Sequence, residues 1–132
     1  MARANALVQQ YNAFSPVAGM NVNGELTLGE NIGDLSGLAV AHTAYQIALD
    51  GKAAPVLDGY TGEQRFYLGW GQIWARNYRE DELRKRLKTD NHSPSEFRVN
   101  GILRNMPAFA KAFDVKAGDK LYLAPDQTVR IW

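Results

Sequence analysis

The chain has 132 residues, of which 45% are hydrophobic, with a formal net charge of +1 and no cysteine. These values predict a single globular unit over residues 1–132 and exclude disulfides and thiolate metal sites. No apolar run approaches the roughly 20 residues that span a bilayer. The near-neutral charge also argues against a nucleic-acid or membrane-surface partner.

The first half of the chain predicts two helices separated by a loop. An Ala- and Gln-rich helix is expected over about 2–11, followed by a segment rich in Pro, Gly and Asn. A longer helix is expected over about 28–50, where apolar residues recur at spacings of three and four. Thr27 and Glu30 match a Thr-x-x-Glu capping box at its start, and Gly51 would end it.

The second half predicts a mostly α fold with little sheet. Thr61 and Gln64 form a second capping box, which opens a helix over about 62–77. Apolar and aromatic residues occupy nearly every face of this helix, and we therefore expect the helix to lie at the centre of the fold. Three further helices are predicted over residues 79–89, 94–103 and 107–113.

Two carboxylates lie one helical turn apart in the stretch "TLGENIGD". Glu30 and Asp34 project from the same helix face, where like charges repel slightly. In one interpretation Glu30 completes a capping box and Asp34 is solvated. In the other, Glu30 is a zinc ligand and Asp34 accepts a hydrogen bond from a zinc-binding histidine.

The two histidines differ in what they could do. His42 lies 12 residues beyond Glu30 on the same helix, roughly 18 Å along the axis, and is interpreted as structural or surface. His92 lies in a turn, and Asp90 could accept from it and favour its charged form. Arg98 follows on the next helix, either as an ordinary surface residue or as a forked donor to a carbonyl or carboxylate.

Taken together, these stretches resemble the neprilysin family of zinc metalloendopeptidases. The resemblance rests on "NGELTLGENIGDLSGLAVAHTAY", which contains a Glu-Asn-x-x-Asp motif, and on "GQIWARNYR", "LKTDNHSPSEFRVNGILRNMPAFAKAF" and the terminal "VRIW". It covers most of the chain in order. It implies a gluzincin-type catalytic domain and zinc-dependent hydrolysis of short peptides.

The resemblance also implies roles for individual residues around the metal. Glu30 matches the third protein ligand of zinc, and Asp34 matches the carboxylate that orients a zinc-binding histidine. His92 matches the histidine that stabilises the tetrahedral intermediate, and Asp90 its carboxylate partner.

Three more residues match the family's substrate-binding positions. Arg98 corresponds to the arginine that binds a backbone carbonyl of the peptide. Ile73 and Trp74 occupy positions that resemble the wall of the pocket for the residue after the scissile bond.

Two departures from the family pattern decide what the chain is expected to be. It contains no His-Glu-x-x-His motif, which supplies two zinc ligands and the general base. A zinc site of this kind needs three protein ligands, and only Glu30 is present. We therefore expect the C-terminal part of a longer peptidase, inactive alone, whose missing N-terminal part is its partner. The lack of cysteines suggests a bacterial origin.

Two other interpretations remain open. The chain could be a stand-alone, non-catalytic binding module derived from a peptidase, or a small basic nucleic-acid binder, which the near-neutral charge disfavours. A surface normally covered by the missing part could drive self-association. The resemblance favours a periplasmic or otherwise extracytoplasmic parent.

Overall fold

Helices dominate residues 2–131, the part of the chain that the computed structural model describes. They are α1 (Ala2–Asn12), α2 (Gly24–Leu49), α3 (Gly62–Ile73), α4 (Glu80–Thr89), α5 (Ser95–Leu103) and α6 (Pro107–Ala112), with a 3-10 helix at Pro125–Gln127. The described residues form no strand and only two isolated β-bridges. The prediction of a mostly α fold is confirmed.

Helix α2 begins one turn earlier than the sequence pattern predicted. Asn23 caps the helix by accepting from the backbone N–H of Leu26 at 2.9 Å. The predicted cap, Thr27, lies inside the first turn, and its hydroxyl donates to the carbonyl of Asn23. Gly24 explains the shift, because a Cβ there would lie 2.4 Å from the carbonyl oxygen of Val8 on α1. Only glycine lets α2 start this close to α1.

The core lies where α2 packs against α1 and α5. Tyr11 of α1 is fully buried and donates its hydroxyl to the carbonyl of Phe97 on α5 at 3.0 Å. Burial raises the pKa of the Tyr11 phenol, and the hydroxyl therefore remains a donor. A Cβ on Gly101 would lie 2.7 Å from that hydroxyl, so α1 and α5 approach closely only because Gly101 has no side chain. This contact places the start of α5 beside α2.

Helix α3 is less central than its composition predicted. Tyr67 is its only fully buried large side chain, whereas Ile73 is 66% exposed. The helix also ends at Ile73 rather than near residue 77. The predicted Thr61–Gln64 capping box is confirmed, with both reciprocal hydrogen bonds present. The aromatic residues of α3 pack against α2, α5 and α6, whereas its C-terminal end is exposed at Ile73.

The C-terminal segment is anchored to the ends of α1 and α5. Val129 is buried, and its N–H donates to the side chain of Asn105 at 2.8 Å. Gln10 donates to the same amide oxygen and to the carbonyl of Gln127. Within residues 2–131, every helix falls short of the length and apolar content that crossing a bilayer requires.

Candidate functional site

Four predicted site residues from distant parts of the sequence meet at one corner of the helical core. Glu30 and Asp34 lie on the N-terminal half of α2, and His92 and Arg98 lie in the turn before α5 and on α5 itself. The Nε2 of His92 is 3.2 Å from Oε2 of Glu30, and Nη2 of Arg98 is 3.5 Å from the same oxygen. Glu30 therefore faces two cationic or potentially cationic groups.

Arg98 and Asp34 form a bidentate ion pair although 64 residues separate them. Nε and Nη2 of Arg98 donate to the two carboxylate oxygens at 2.6 and 2.7 Å. The two side chains are only 12% and 9% exposed. The hydrogen bond to Asp34 raises the pKa of the Arg98 guanidinium despite its burial. Such a planar fork holds both groups in one geometry, and Asp34 is not the solvated carboxylate of the first interpretation.

Trp74 completes the environment of Arg98. The guanidinium carbon lies 4.0 Å from the centre of the Trp74 ring, a close cation–π contact. The indole of Trp70 donates to the backbone carbonyl of Arg98 at 3.1 Å. Ile73, predicted beside Trp74 in the same pocket wall, is instead 66% exposed and is absent from the lining of the adjoining cavity.

That cavity lies between the end of α3 and the turn before α5. It has a volume of about 220 Å³, and most of the residues that line it are polar or charged. It includes Trp74, Tyr78, Asp90, His92 and Arg98. The predicted substrate residues Trp74 and Arg98 and the predicted catalytic residues Asp90 and His92 thus share one small opening.

Asp90 binds His92 through the ring nitrogen that faces away from Glu30. Its Oδ1 accepts from both the backbone N–H and the ring Nδ1 of His92, at 3.0 and 2.8 Å. Burial alone would raise the pKa of the Asp90 carboxyl, but hydrogen bonds from His92 and the charge of Arg86 hold it below its ordinary value. Asp90 therefore stays ionised, and the imidazole keeps Nε2 toward Glu30.

Because its pKa is lowered on folding, Asp90 contributes its full stabilisation at a pH above the ordinary aspartate value of about 3.9. This stability is expected to disappear as the pH falls further, through the lower pKa of the folded state. The contribution of Asp90 to stability is measured by thermal unfolding of the wild type and of Asp90→Asn between pH 7 and pH 2.5. The gap in stability between the two should be widest at neutral pH and narrow below about pH 4. A constant gap would contradict the assignment.

A buried polar chain that sequence reasoning missed connects α2 to the turn carrying His92. Ser93 donates to the amide oxygen of Asn31 at 2.8 Å, and the Asn31 amide donates to the Thr27 hydroxyl at 3.0 Å. All three residues are at most 3% exposed. Thr27 and Asn31 lie four residues apart on the side of the predicted helix that carries the apolar residues. This spacing could have indicated the polar chain, because buried polar groups need hydrogen-bond partners.

The second histidine lies outside this corner. Nε2 of His42 is 2.7 Å from Oε2 of Glu63, which joins α2 to α3. Its ring packs at 5.4 Å from Phe66 and 5.6 Å from Tyr67. These contacts support its interpretation as a structural residue.

The residues present fit one position of a zinc site and no more. Within residues 2–131, no cluster of three or more His, Cys, Asp and Glu side chains could hold a metal ion. The Glu30 side chain is 38% exposed, and its Oε2 lies beside Nε2 of His92. Asp34 has both oxygens engaged by Arg98. At least two further ligands would have to come from outside these residues.

Known proteins with similar sequences and structures include peptidases. Residues 1–129 match the model of peptidase family M13. Neprilysin-2 of Drosophila melanogaster is 41% identical over the whole chain, and human neprilysin is 38% identical over 98% of it. The zinc metalloprotease Zmp1 of Mycobacterium tuberculosis, solved with an inhibitor, is 51% identical over 99% of the chain, with a TM-score of 0.97.

The match covers only part of each of these proteins. The chain spans 17% of the Drosophila protein, 18% of the human protein and 21% of the solved Zmp1 chain. The resemblance drawn from the Glu-Asn-x-x-Asp stretch and the segments after it is thereby confirmed. The chain belongs to peptidase family M13, the neprilysin family.

Proposed function

We propose that this chain is the C-terminal part of a zinc-dependent endopeptidase that hydrolyses short peptides, and that it is inactive alone. The observation that carries the proposal is the meeting of Glu30, His92 and Arg98 at one surface corner. Each belongs to a different segment, and buried hydrogen bonds and ion pairs hold all three segments in place. An arrangement so well supported favours a site over three chance surface residues.

In this proposal Glu30 supplies one of the ligands of the zinc ion. When bound, zinc would polarise the scissile carbonyl and activate a water molecule. His92, with Nδ1 donating to Asp90, would in its charged form carry a second N–H on Nε2 and donate it to the negative charge that develops on the carbonyl oxygen. Asp34, with Arg98 already on both oxygens, would accept a further hydrogen bond through its remaining lone pairs.

Arg98, Trp74 and Ile73 would bind the peptide. The bonds of Arg98 to Asp34 use Nε and Nη2, and Nη1 carries two further N–H donors for a peptide carbonyl. The Trp74 ring fixes the guanidinium from one face and presents an apolar surface to the cavity. Ile73, exposed here, would line the pocket only where the rest of the substrate cleft covers it.

The upstream part of the same polypeptide is the partner proposed for this chain. The C-terminal half of α2 exposes Val40 and Ile47 by 67% and 73%, beside a largely apolar groove of about 690 Å³. Such a surface is expected to be covered in a larger domain, or to drive self-association when it is not. A periplasmic or otherwise extracytoplasmic location is proposed for the parent from its relationship to neprilysin.

Zinc binding by two polypeptides tests the proposal. The 132-residue chain is expected to bind zinc weakly at neutral pH, because it supplies one ligand of three. The chain extended upstream through a His-Glu-x-x-His segment should hold one zinc per polypeptide and cleave short peptides. Metal analysis and a fluorogenic peptide assay measure both. A tight stoichiometric site in the 132-residue chain would contradict the proposal. An extended chain without zinc or cleavage would favour a non-catalytic binding module.

A further inference from the structure

Arg86, on α4, belongs to none of the segments that the family resemblance singled out for chemistry. We propose that Arg86 is a positioning residue, which acts through Asp90 to hold the imidazole of His92 with Nδ1 protonated and Nε2 facing Glu30. The inference rests on the proposed role of His92 and adds a device that sets its orientation.

The two oxygens of the Asp90 carboxylate have separate partners. Oδ1 accepts from the ring Nδ1 of His92 at 2.8 Å, and Oδ2 accepts from Nη1 of Arg86 at 2.8 Å. The backbone N–H of Asp90 donates to the carbonyl of Arg86, also at 2.8 Å. Arg86 therefore fixes both the backbone and the far oxygen of the residue that holds His92, and the near oxygen cannot turn away without breaking an ion pair.

Arg86 is itself held on three sides. Its Nε donates to Glu82 at 2.9 Å, one turn back on α4. Its guanidinium lies 5.6 Å from the centre of the Tyr78 ring. The Tyr78 hydroxyl is hydrogen-bonded to that of Ser95, at 2.8 Å, at the start of α5. These contacts limit the rotation of a long side chain that is 40% exposed, as a positioning residue requires.

The number of hydrogen-bond donors on the imidazole decides which nitrogen of neutral His92 carries the proton. Carboxylates accept only, and a neutral imidazole donates from one nitrogen only. His92 faces Asp90 at 2.8 Å through Nδ1 and Glu30 at 3.2 Å through Nε2. The shorter and more buried contact with Asp90 should keep the proton on Nδ1 in the neutral ring. Loss of Arg86 would leave the Asp90 carboxylate held through Oδ1 alone, and the weaker contact with Nδ1 would let the proton move toward Nε2.

The tautomer of His92 in the 132-residue chain tests the inference without zinc or activity. Long-range ¹H–¹⁵N spectra are recorded at about pH 9, and the signals of the neutral rings are compared. His42 is an internal reference, because its Nε2 is the nitrogen bonded to Glu63. Wild type should show mainly Nδ1–H at His92 and Nε2–H at His42.

The variants are chosen as a matched set. Arg86→Gln is expected to raise the ratio of Nε2–H to Nδ1–H at His92 about two- to fivefold, the range expected for a partly exposed ion pair. Arg86→Lys, which keeps the charge and loses the fork, should fall between. The control is Arg84→Gln, which removes a similar i,i+4 pair with Glu80 on the same helix and should change nothing. An Arg86→Gln spectrum identical to that of Arg84→Gln would overturn the inference.

Activity in the upstream-extended polypeptide separates this inference from the proposed function. Arg86→Gln should lower kcat about two- to fivefold with zinc content unchanged, and should change KM less than kcat, since Arg86 lines the cavity but is proposed to act through Asp90 and His92. If zinc and cleavage are present but neither the tautomer nor kcat responds, the positioning role of Arg86 is wrong and the proposed function stands. If the tautomer shifts but the extended chain neither binds zinc nor cleaves peptides, the proposed function fails and the Arg86–Asp90–His92 arrangement stands.

Discussion

Arg98→Ala is expected to destabilise the 132-residue chain by about 3–5 kcal/mol, the usual cost of removing one partner from a buried ion pair. The Asp34 carboxylate, 9% exposed, would lose both of its donors and remain as an uncompensated charge. The Trp74 ring would also lose the guanidinium packed on its face. Urea unfolding followed by circular dichroism measures the change.

Two controls distinguish the cost of breaking the buried ion pair from the cost of removing an arginine side chain in general. Arg84→Ala removes an exposed pair on α4, with side chains 37% and 67% exposed, and should cost less than about 1 kcal/mol. Arg98→Met combined with Asp34→Asn removes both charges and should recover part of the loss, because no buried charge is left unpaired. If Arg98→Ala is no worse than Arg84→Ala, the pair is not the buried anchor described above.

Glu30→Gln in the upstream-extended polypeptide is expected to abolish stoichiometric zinc binding and peptide cleavage. The amide keeps the size of the side chain but loses the negative charge that a zinc ligand supplies. The loss should exceed the roughly 10–100-fold that removal of a hydrogen-bond partner around a metal costs. Zinc content by metal analysis and cleavage of a fluorogenic peptide are the measurements.

Glu25→Gln is the matched control for this experiment. Glu25 lies on the same helix, at its first turn, and contacts Asn12 rather than the corner with His92. It should retain zinc and activity. His92→Ala should retain zinc and lose turnover, since His92 is proposed to act on the substrate and not on the metal. Loss of zinc in His92→Ala, or its retention in Glu30→Gln, would reverse the roles assigned to the two residues.

The helical character of the chain was predictable because its causes are local. The Thr61–Gln64 capping box depends on residues three apart, and both of its hydrogen bonds are present. The start of α2 was predicted wrongly for a reason that is not local. Thr27 has the right neighbour for a cap, but Asn23 takes that position because Gly24 allows α2 to begin against α1.

The position of α3 shows the limit of reading burial from composition. Its aromatic residues predicted a central helix, yet Ile73 is exposed and Tyr67 alone is fully buried. Periodicity identifies a helix and its apolar faces. It does not say which faces other elements of the chain cover, because that depends on how the helices pack together.

The sequence by itself determined that the chain is helical, because capping and periodicity depend on neighbouring residues. It also determined the family of the chain, because several motifs occur in a fixed order along it. It also supplied the residues that meet at the corner. Only the tertiary structure decided that Asp34 bonds to Arg98, 64 residues away, and that Ser93 joins the chain of Asn31 and Thr27. Those contacts depend on the angle and offset at which α2 and α5 pack, and the side chains buried between the helices set both.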